Sequence, residues 1–288
     1  CSTSSSEDPK SSGFLSSYWS WCKKRLILQD IINIIESVAP LSYQEAWDNS
    51  GLQVGDRNAE IKSALLTVDV TESVFSEAIS LGCDLIVSHH PWLFRGLKQL
   101  TGSTPQERCV EKAIRHGIAI YSAHTSMDSY LHGVSGRMAE KLGIADYRVL
   151  IPSANDAEVG LGVIGDLAEV MDNEAFVEQV AKVFGMSGAT LRWVEGRNKQ
   201  VKSVALCGGA GAEFIEQAIA QGADAFVSAD FKYHELQSAY ERITVVDMDH
   251  WVSEHFTREI FEELLALHVQ THVASADKSP IRYSQPLT

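Results

Sequence analysis

The sequence predicts an α/β protein made of two related α/β domains, and three observations lead there. Short, branched apolar runs alternate with helix-length stretches, the pattern of parallel strands joined by helical crossovers. The chain also repeats itself. Displaced by 140 residues, Lys62-Ser-Ala-Leu-Leu falls on Lys202-Ser-Val-Ala-Leu, and Gly82-Cys-Asp-Leu-Ile-Val-Ser88 on Gly222-Ala-Asp-Ala-Phe-Val-Ser228. Nine of the 27 positions from 62 to 88 are identical in that register. Common α/β patterning accounts for the apolar matches but not for Gly-x-Asp-x-x-Val-Ser, so the repeat reads as an internal duplication. Finally, a displacement of 126 sets Ile120-Tyr-Ser-Ala-His124-x-x-x-Asp128 on Val246-Asp-Met-Asp-His250-x-x-x-Glu254, so each half ends a strand with His-x3-acid.

In chain order, residues 1–26 are serine-rich, then aromatic and basic, without the long apolar centre of a secretory signal, and read as a disordered extension or a start-site artefact. The first α/β half is assigned to residues 27–150. Asp30 is the expected N-cap of a helix whose apolar face is Ile31, Ile32, Ile34, Ile35 and Val38, and Pro40 ends it. In Ala46-Trp-Asp-Asn-Ser-Gly-Leu-Gln-Val-Gly55 the Asp-Asn-Ser-Gly core is a turn signal with an aromatic to pack beneath it, which favours structural use. A strand at 64–68, a helix near 71–81, a turn at Gly82 and a strand at 85–87 form one right-handed crossover. A helix near 106–116, a strand at 118–121 and a helix near 134–142 complete this half.

Residues 151–288 hold a bridge, with a strand at 160–165 and a helix over 173–184, and then the second α/β half. Its first strand is followed by Gly208-Gly209-Ala210-Gly211. Glycines there either bring backbone N–H groups against an anion or simply permit tight packing.

Composition narrows the functions. With 288 residues, 45% of them hydrophobic and 22% charged, the chain has ample core for one large or two medium domains. A net charge of -14 argues against a role in nucleic-acid binding, which needs a basic surplus. Five cysteines (Cys1, Cys22, Cys83, Cys109, Cys207) with no CxxC suggest neither a disulfide framework nor a thiolate zinc site, and fit a reducing cytoplasm. No apolar run approaches the roughly 20 residues that span a bilayer.

The chemistry gathers at strand ends. Leu85-Ile-Val-Ser88 delivers His89 and His90 to the carboxyl end of a buried strand, where Pro91 closes regular structure. Neighbouring side chains on an extended backbone diverge, so adjacent histidines suit two metals better than one. An i,i+4 spacing puts His124 with Asp128, and His250 with Glu254, on single helix faces if a helix follows the strand at once. The halves then offer His89, His90, His124 and Asp128 against Asp230, His234, His250 and Glu254 across a crevice, the geometry for two divalent ions. Imidazole and carboxylate without thiolate suit zinc, iron(II) or manganese, and magnesium less. Glu254 is the simplest bridging carboxylate, and water shared by two such ions is acidified, which points to a hydrolase. His124 and His234 are candidates for proton transfer or for support behind the ligands. Arg95, Lys98 and Lys232 are candidate phosphate contacts.

Taken together, Trp47-Asp-Asn-Ser-Gly-Leu-Gln-Val-Gly55, Ser88-His-His-Pro91, His124-Thr-x-x-Asp128, Asp230-Phe-Lys-Tyr-His234 and Asp249-His250-x-x-Ser-Glu254 resemble the dinuclear metal-centre family of Nif-three-like proteins, the GTP cyclohydrolase 1 type 2 homologues. The resemblance implies two related α/β domains, a pair of divalent ions held by His89, His90, Asp128, His250 and Glu254, and a homohexameric ring whose sites face an internal cavity. It implies a metal-dependent hydrolase of nucleotide-type substrates, cyclohydrolase- or phosphoesterase-like. The competing class is a non-enzymatic metal-handling, chaperone or scaffold protein using the same ligands.

Overall fold

The computed structural model describes residues 25–186 and 191–283; the extension read at 1–26 lies almost wholly outside the described residues. The first helix, α1 (Leu28–Glu36), starts earlier than Asp30 predicts. Ile27 is its N-cap, and Asp30 works from the third helical position, its Oδ2 accepting the Ile27 N–H at 3.1 Å. An acidic side chain satisfies an orphan N–H from either place, which is why its sequence signal is out by most of a turn.

After α1 come β1 (Gly51–Val54), β2 (Ser63–Thr67), α2 (Glu72–Leu81), β3 (Leu85–Ser88), α3 (Pro105–His116), β4 (Ala119–Ser122), α4 (Thr125–Asp128) and α5 (Val134–Lys141). The chain continues through β5 (Tyr147–Pro152), β6 (Gly160–Asp172), α6 (Asn173–Val183), β7 (Arg192–Val194), β8 (Gln200–Ala210), α7 (Ile215–Ala220), β9 (Ala225–Ala229) and α8 (Tyr233–Ala239). It ends with β10 (Thr244–Met248), α9 (His250–Glu254), α10 (Thr257–Leu265) and β11 (Gln270–Val273).

Two sheets result, ordered β1-β4-β3-β2-β11 and β5-β6-β8-β9-β10-β7. At the heart of each lie three parallel strands, and the first two obey the displacement of 140: Ala64 pairs with Leu85 and Leu66 with Val87, while Val204 pairs with Ala225 and Leu206 with Val227; the third, β4 against β10, follows the displacement of 126. The aspartate shared by the two copies does the same work in both. Asp84 Oδ2 accepts from the N–H groups of Lys62 and Ser63 at 2.8 and 3.2 Å, and Asp224 Oδ2 from those of Lys202 and Ser203, both at 2.9 Å. Each carboxylate thus fixes where one central strand begins beside the next.

The sheets divide the chain differently from the halves drawn on the sequence. β5 begins before residue 150 yet pairs with β6, and β11, at the far end of the chain, lies parallel to β2. Sheet membership is a non-local choice that no local pattern encodes.

Both central strand trios are buried on both faces, as crossover helices require. Leu66, Val87, Leu206, Val227 and Val246 share one apolar core between the sheets, whereas Leu65 and Ile86 belong to an outer cluster on one side and Ala205, Phe226 and Val245 to another. The facing core therefore holds the carboxyl ends of the two trios together. Asp277, 4% exposed, adds a polar tie: it accepts the Val68 N–H at 2.7 Å and Trp251 Nε1–H at 2.9 Å, joining the end of β2 to α9. Among the described residues, no helix is long and apolar enough to cross a membrane.

Candidate metal centre

His89 and His90 continue the ladder beyond β3, their N–H groups donating to the carbonyls of Thr67 and Val68 at 3.1 and 3.0 Å. His124 is the N-cap of α4, so the chain enters a helix straight from β4 and places Asp128 one turn on. In the other half Asp249 caps α9 through the Val252 N–H, and α9 carries His250 and Glu254. The i,i+4 expectation holds for His250 and Glu254, both on α9, whereas His124 stands just before α4 as its N-cap.

These groups converge. Glu254 Oε2 lies 3.0 Å from His90 Nε2 and 3.1 Å from His250 Nε2, and Oε1 lies 3.6 Å from His89 Nε2. Asp128 Oδ1 is 3.7 Å from the same His89 nitrogen. The His124 ring centroid stands 5.3 Å from that of His89 and 5.5 Å from that of His90. His89, His90 and His124 form one grouping that could hold a metal ion, and His90, His250 and Glu254 another. His90 belongs to both.

Every one of the four imidazoles is aimed from behind. His89 Nδ1 donates to the Ala123 carbonyl at 3.0 Å, His90 Nδ1 to Asp69 at 2.9 Å, His124 Nδ1 to Asp48 at 2.8 Å and His250 Nδ1 to Asp230 at 2.7 Å. Carbonyl and carboxylate oxygens only accept, so each Nδ1 carries a proton and Nε2 is the ring atom turned into the cluster. Asp48 is itself locked by the hydroxyls of Ser50 and Thr125 at 2.8 and 2.6 Å. Burial alone would raise its pKa, but the hydrogen bonds from His124, Thr125 and Ser50 hold it well below the usual carboxylate range.

Electrostatics show how tightly the cluster is strung. Burial opposes charge on His90, yet Asp69 and Glu254 outweigh it and push its pKa up to about 11; His250, against Glu254 and Asp230, rises to about 9. Burial would likewise raise Glu254, but His89, His250 and His90 hold it well below the ordinary value. Asp128, buried beside Glu254, is pushed up. Cys207 borders the cluster and remains a thiol, since burial and then the charges of Asp128 and Glu254 push its pKa up.

The donor set fits a metal on an observation independent of spacing. His89 Nε2 and Asp128 Oδ1 are buried and find no hydrogen-bond partner, and the buried Glu254 Oε2 faces only the Nε2 atoms of His90 and His250. Buried polar atoms left so cost about 1–3 kcal/mol each, and a cation among them would satisfy all three at once. Since metal takes the neutral imidazole while His90 and His250 hold protons below about 9, loading must expel protons. Metal affinity is accordingly expected to rise with pH between 6 and 9, with about two protons released per chain at pH 7. Calorimetry in buffers of differing ionisation enthalpy checks this, and proton-neutral uptake would contradict it.

Other residues singled out by the sequence lie elsewhere. His234 is exposed on α8, where its ring nitrogen meets Gln237 and its ring meets Tyr233, and it is in neither grouping. Arg95, Lys98 and Lys232 are exposed and do not line the adjoining cavity of about 610 Å³, whose wall includes His90, His250, Arg192, Trp251 and Tyr283. Sequence reasoning missed Asp48 and Asp69 as the groups that aim His124 and His90, and left the Trp47 motif without a role in the site. The available signal was a carboxylate inside a turn motif whose own N–H groups a turn does not fully use. Of the two readings of Gly208-Gly209-Ala210-Gly211, packing is the one seen: a Cβ on Gly209 would lie 2.2 Å from Glu254 Oε1, on Gly208 2.4 Å from Val134 and on Gly211 2.4 Å from the Ser228 hydroxyl.

With the site in view, comparisons with known proteins give its kin. The family model described as Duf34/NIF3 (NGG1p interacting factor 3) matches residues 26–280. A GTP cyclohydrolase 1 type 2 homolog of Clostridium perfringens is 34% identical over 261 residues, covering 89% of this chain and 99% of its own. A protein of the same description from Clostridium acetobutylicum is 34% identical over 232 residues, covering 80% and 85%. Among solved structures, a Bacillus cereus protein related to NIF3 superposes with a TM-score of 0.83 at 24% identity, over 91% of this chain and 100% of that one. Reduced HcgD from Methanocaldococcus jannaschii gives 0.72 at 26% identity, over 87% and 98%. A match running from just before α1 to residue 280 takes in every strand end that bears a side chain of the two groupings, and so the chain belongs to the Duf34/NIF3 family.

Proposed function

We propose that this protein is a dinuclear metal-dependent hydrolase of nucleotide-type substrates, with cyclohydrolase- or phosphoesterase-like chemistry. The observation that carries the reading is the pair of buried atoms without a hydrogen-bond partner, His89 Nε2 and Asp128 Oδ1, beside the buried Glu254 carboxylate from the other half of the chain. His89, His90, Asp128, His250 and Glu254 would hold the ions, with Glu254 between them because its two oxygens face different imidazoles. Two bound divalent cations, zinc, iron or manganese by the donor set and magnesium less, would supply Lewis acidity and a water acidic enough to attack near neutral pH.

The chain's own residues do the rest. Asp69 and Asp230 keep His90 and His250 in the tautomer that presents Nε2. His124, backed by an Asp48 carboxylate that stays ionised, is placed to pass a proton to a leaving nitrogen or oxygen. The exposed His234 has no such support, so it is given no part in proton transfer. The 610 Å³ cavity beside His90 and His250 is large enough for a nucleotide-sized molecule and brings Arg192 to its wall. A homohexameric ring is carried over from the family resemblance, and residence in a reducing cytoplasm from the cysteine usage.

The test is a panel of nucleoside triphosphates, cyclic nucleotides and phosphodiesters offered to zinc-, iron- and manganese-loaded protein. Saturable, chelator-sensitive turnover of at least one of them is expected. Rapid metal exchange to an acceptor chelator with no turnover across the panel would favour a metal-handling protein instead.

A further inference from the structure

The Trp47 motif enters the centre through Asp48, but its indole does no work in that arrangement. Trp47 is 61% exposed and Phe94 45%, with ring centroids 6.1 Å apart at 60°, and Trp47 stands 6.0 Å from the His124 ring at 73°. Single exposed aromatics are ordinary; a touching pair at the rim of a ligating cluster is not explained by packing. Neither ring contact of Trp47 is coplanar, so among the described residues its faces have no stacked partner.

The pair is also held in place. Asp48, next to Trp47, is fixed on His124, Ser50 and Thr125. Asn49 Nδ2 donates to the Leu93 carbonyl at 2.7 Å, and the Leu93 N–H donates to Gln53 at 3.2 Å. These bonds lace the segment bearing Trp47 to the segment bearing Phe94, so the two rings are presented with little freedom to lose on binding. The Phe94 segment carries Arg95 and Lys98 as well, both exposed and, among the described residues, in no ion pair. On a chain of net charge -14, two such cations one and four residues after Phe94 offer an anion a partner near that ring.

We infer that Trp47 and Phe94 form a stacking subsite for a planar heteroaromatic ring bearing an anionic group, of which a nucleoside monophosphate is the simplest form, and that they seat it against the His124 side of the centre. This rests on the reading that substrate is handled at the His89–Glu254 cluster. A protein partner is a poorer occupant, because a stable interface buries about 800 Å² per side and two rings offer far less. A ring needs only a rigid π-face.

The test is calorimetric binding of adenosine 5′-monophosphate, guanosine 5′-monophosphate and ribose 5-phosphate to zinc-loaded wild type, Trp47→Ala, Trp47→Phe and Phe94→Ala. Sedimentation and metal content are followed alongside. The wild type is expected to bind the nucleotides at least about 10-fold more tightly than ribose 5-phosphate. Trp47→Ala should bring them within about 3-fold, Trp47→Phe should recover most of the gap, and ribose 5-phosphate affinity and zinc content should not move. Nucleotide affinity unchanged in both alanine variants overturns the inference, and so does a change of association state in Trp47→Ala with binding intact. Zinc-free protein separates the two readings. Loss of nucleotide binding without zinc, with Trp47→Ala silent, sinks the subsite and leaves the centre; Trp47-dependent binding that persists without zinc supports the subsite and counts against the centre as the place where substrate is handled.

Discussion

Glu254→Gln is expected to leave the chain folded while removing at least half of its bound metal and lowering chelator-sensitive turnover by about 10²–10³-fold. Glu254 is 3% exposed and within 3.6 Å of three imidazole nitrogens, so its charge is shared among His89, His90 and His250. Glutamine has nearly the same shape but offers one accepting oxygen and an NH2 that must turn its protons toward an imidazole lone pair or a cation. Without the carboxylate, part of the attraction that lifts His90 to about 11 and the larger part of that which lifts His250 to about 9 are gone, and Asp69 and Asp230 alone hold their protons. The substitution therefore strikes the second grouping directly and, through His90, the charge balance of the first. Metal per chain by inductively coupled plasma mass spectrometry, turnover on the best substrate and far-ultraviolet circular dichroism read the three parts. A Glu254→Gln protein with full metal and wild-type turnover would remove the bridging role.

How much of this the sequence disclosed follows from the range of each interaction. His250 and Glu254 could be paired on paper because four residues of helix fix their relation. The equivalence of Asp84 and Asp224 was legible as an identity in a repeat, although its purpose, fixing the start of a neighbouring strand, emerges only from the hydrogen bonds. His124 and Asp48 are 76 residues apart, and nothing local tells a turn aspartate to serve a histidine across the sheet. β11 is invisible for a like reason: two exposed and two half-buried residues become a strand only because β2 offers an open edge.

His234 shows the opposite case, a signal present but not weighed. On α8 the buried positions are Leu236 and Ala239, three apart, and they define the inward face. His234 is two residues from Leu236, which on a helix turns it some 200° away. Helix phase thus argued against the spacing Asp230-x3-His234, and the exposed imidazole agrees with the phase. Asp230 itself sits at a φ of 61°, a left-handed conformation that aspartate adopts more readily than most residues, and from there its carboxylate reaches His250 Nδ1.

Gly209→Ala should prove as harmful to the centre as removing a ligand, although glycine ligates nothing. Its φ is +65°, and an added Cβ would lie 2.2 Å from Glu254 Oε1 and 3.3 Å from His250 Cε1. The carboxylate cannot step aside, since it is closed in by three imidazoles on the other side. Gly82 provides the control: its φ is +67°, nearly the same backbone strain, with nothing within 4 Å of an added Cβ. Gly82→Ala is therefore expected to cost only about 1–2 kcal/mol, the left-handed penalty, and to retain its metal. Gly209→Ala adds the clash, for a total of about 3–5 kcal/mol and a melting temperature lower by roughly 6–15 °C, with most of the metal lost. Thermal melts of both variants, with and without a chelator, separate strain from displacement, because chelation should lower the melting temperature of Gly82→Ala and hardly alter that of Gly209→Ala. Equal metal content in the two proteins would show that Glu254 is not held where the glycine makes room for it.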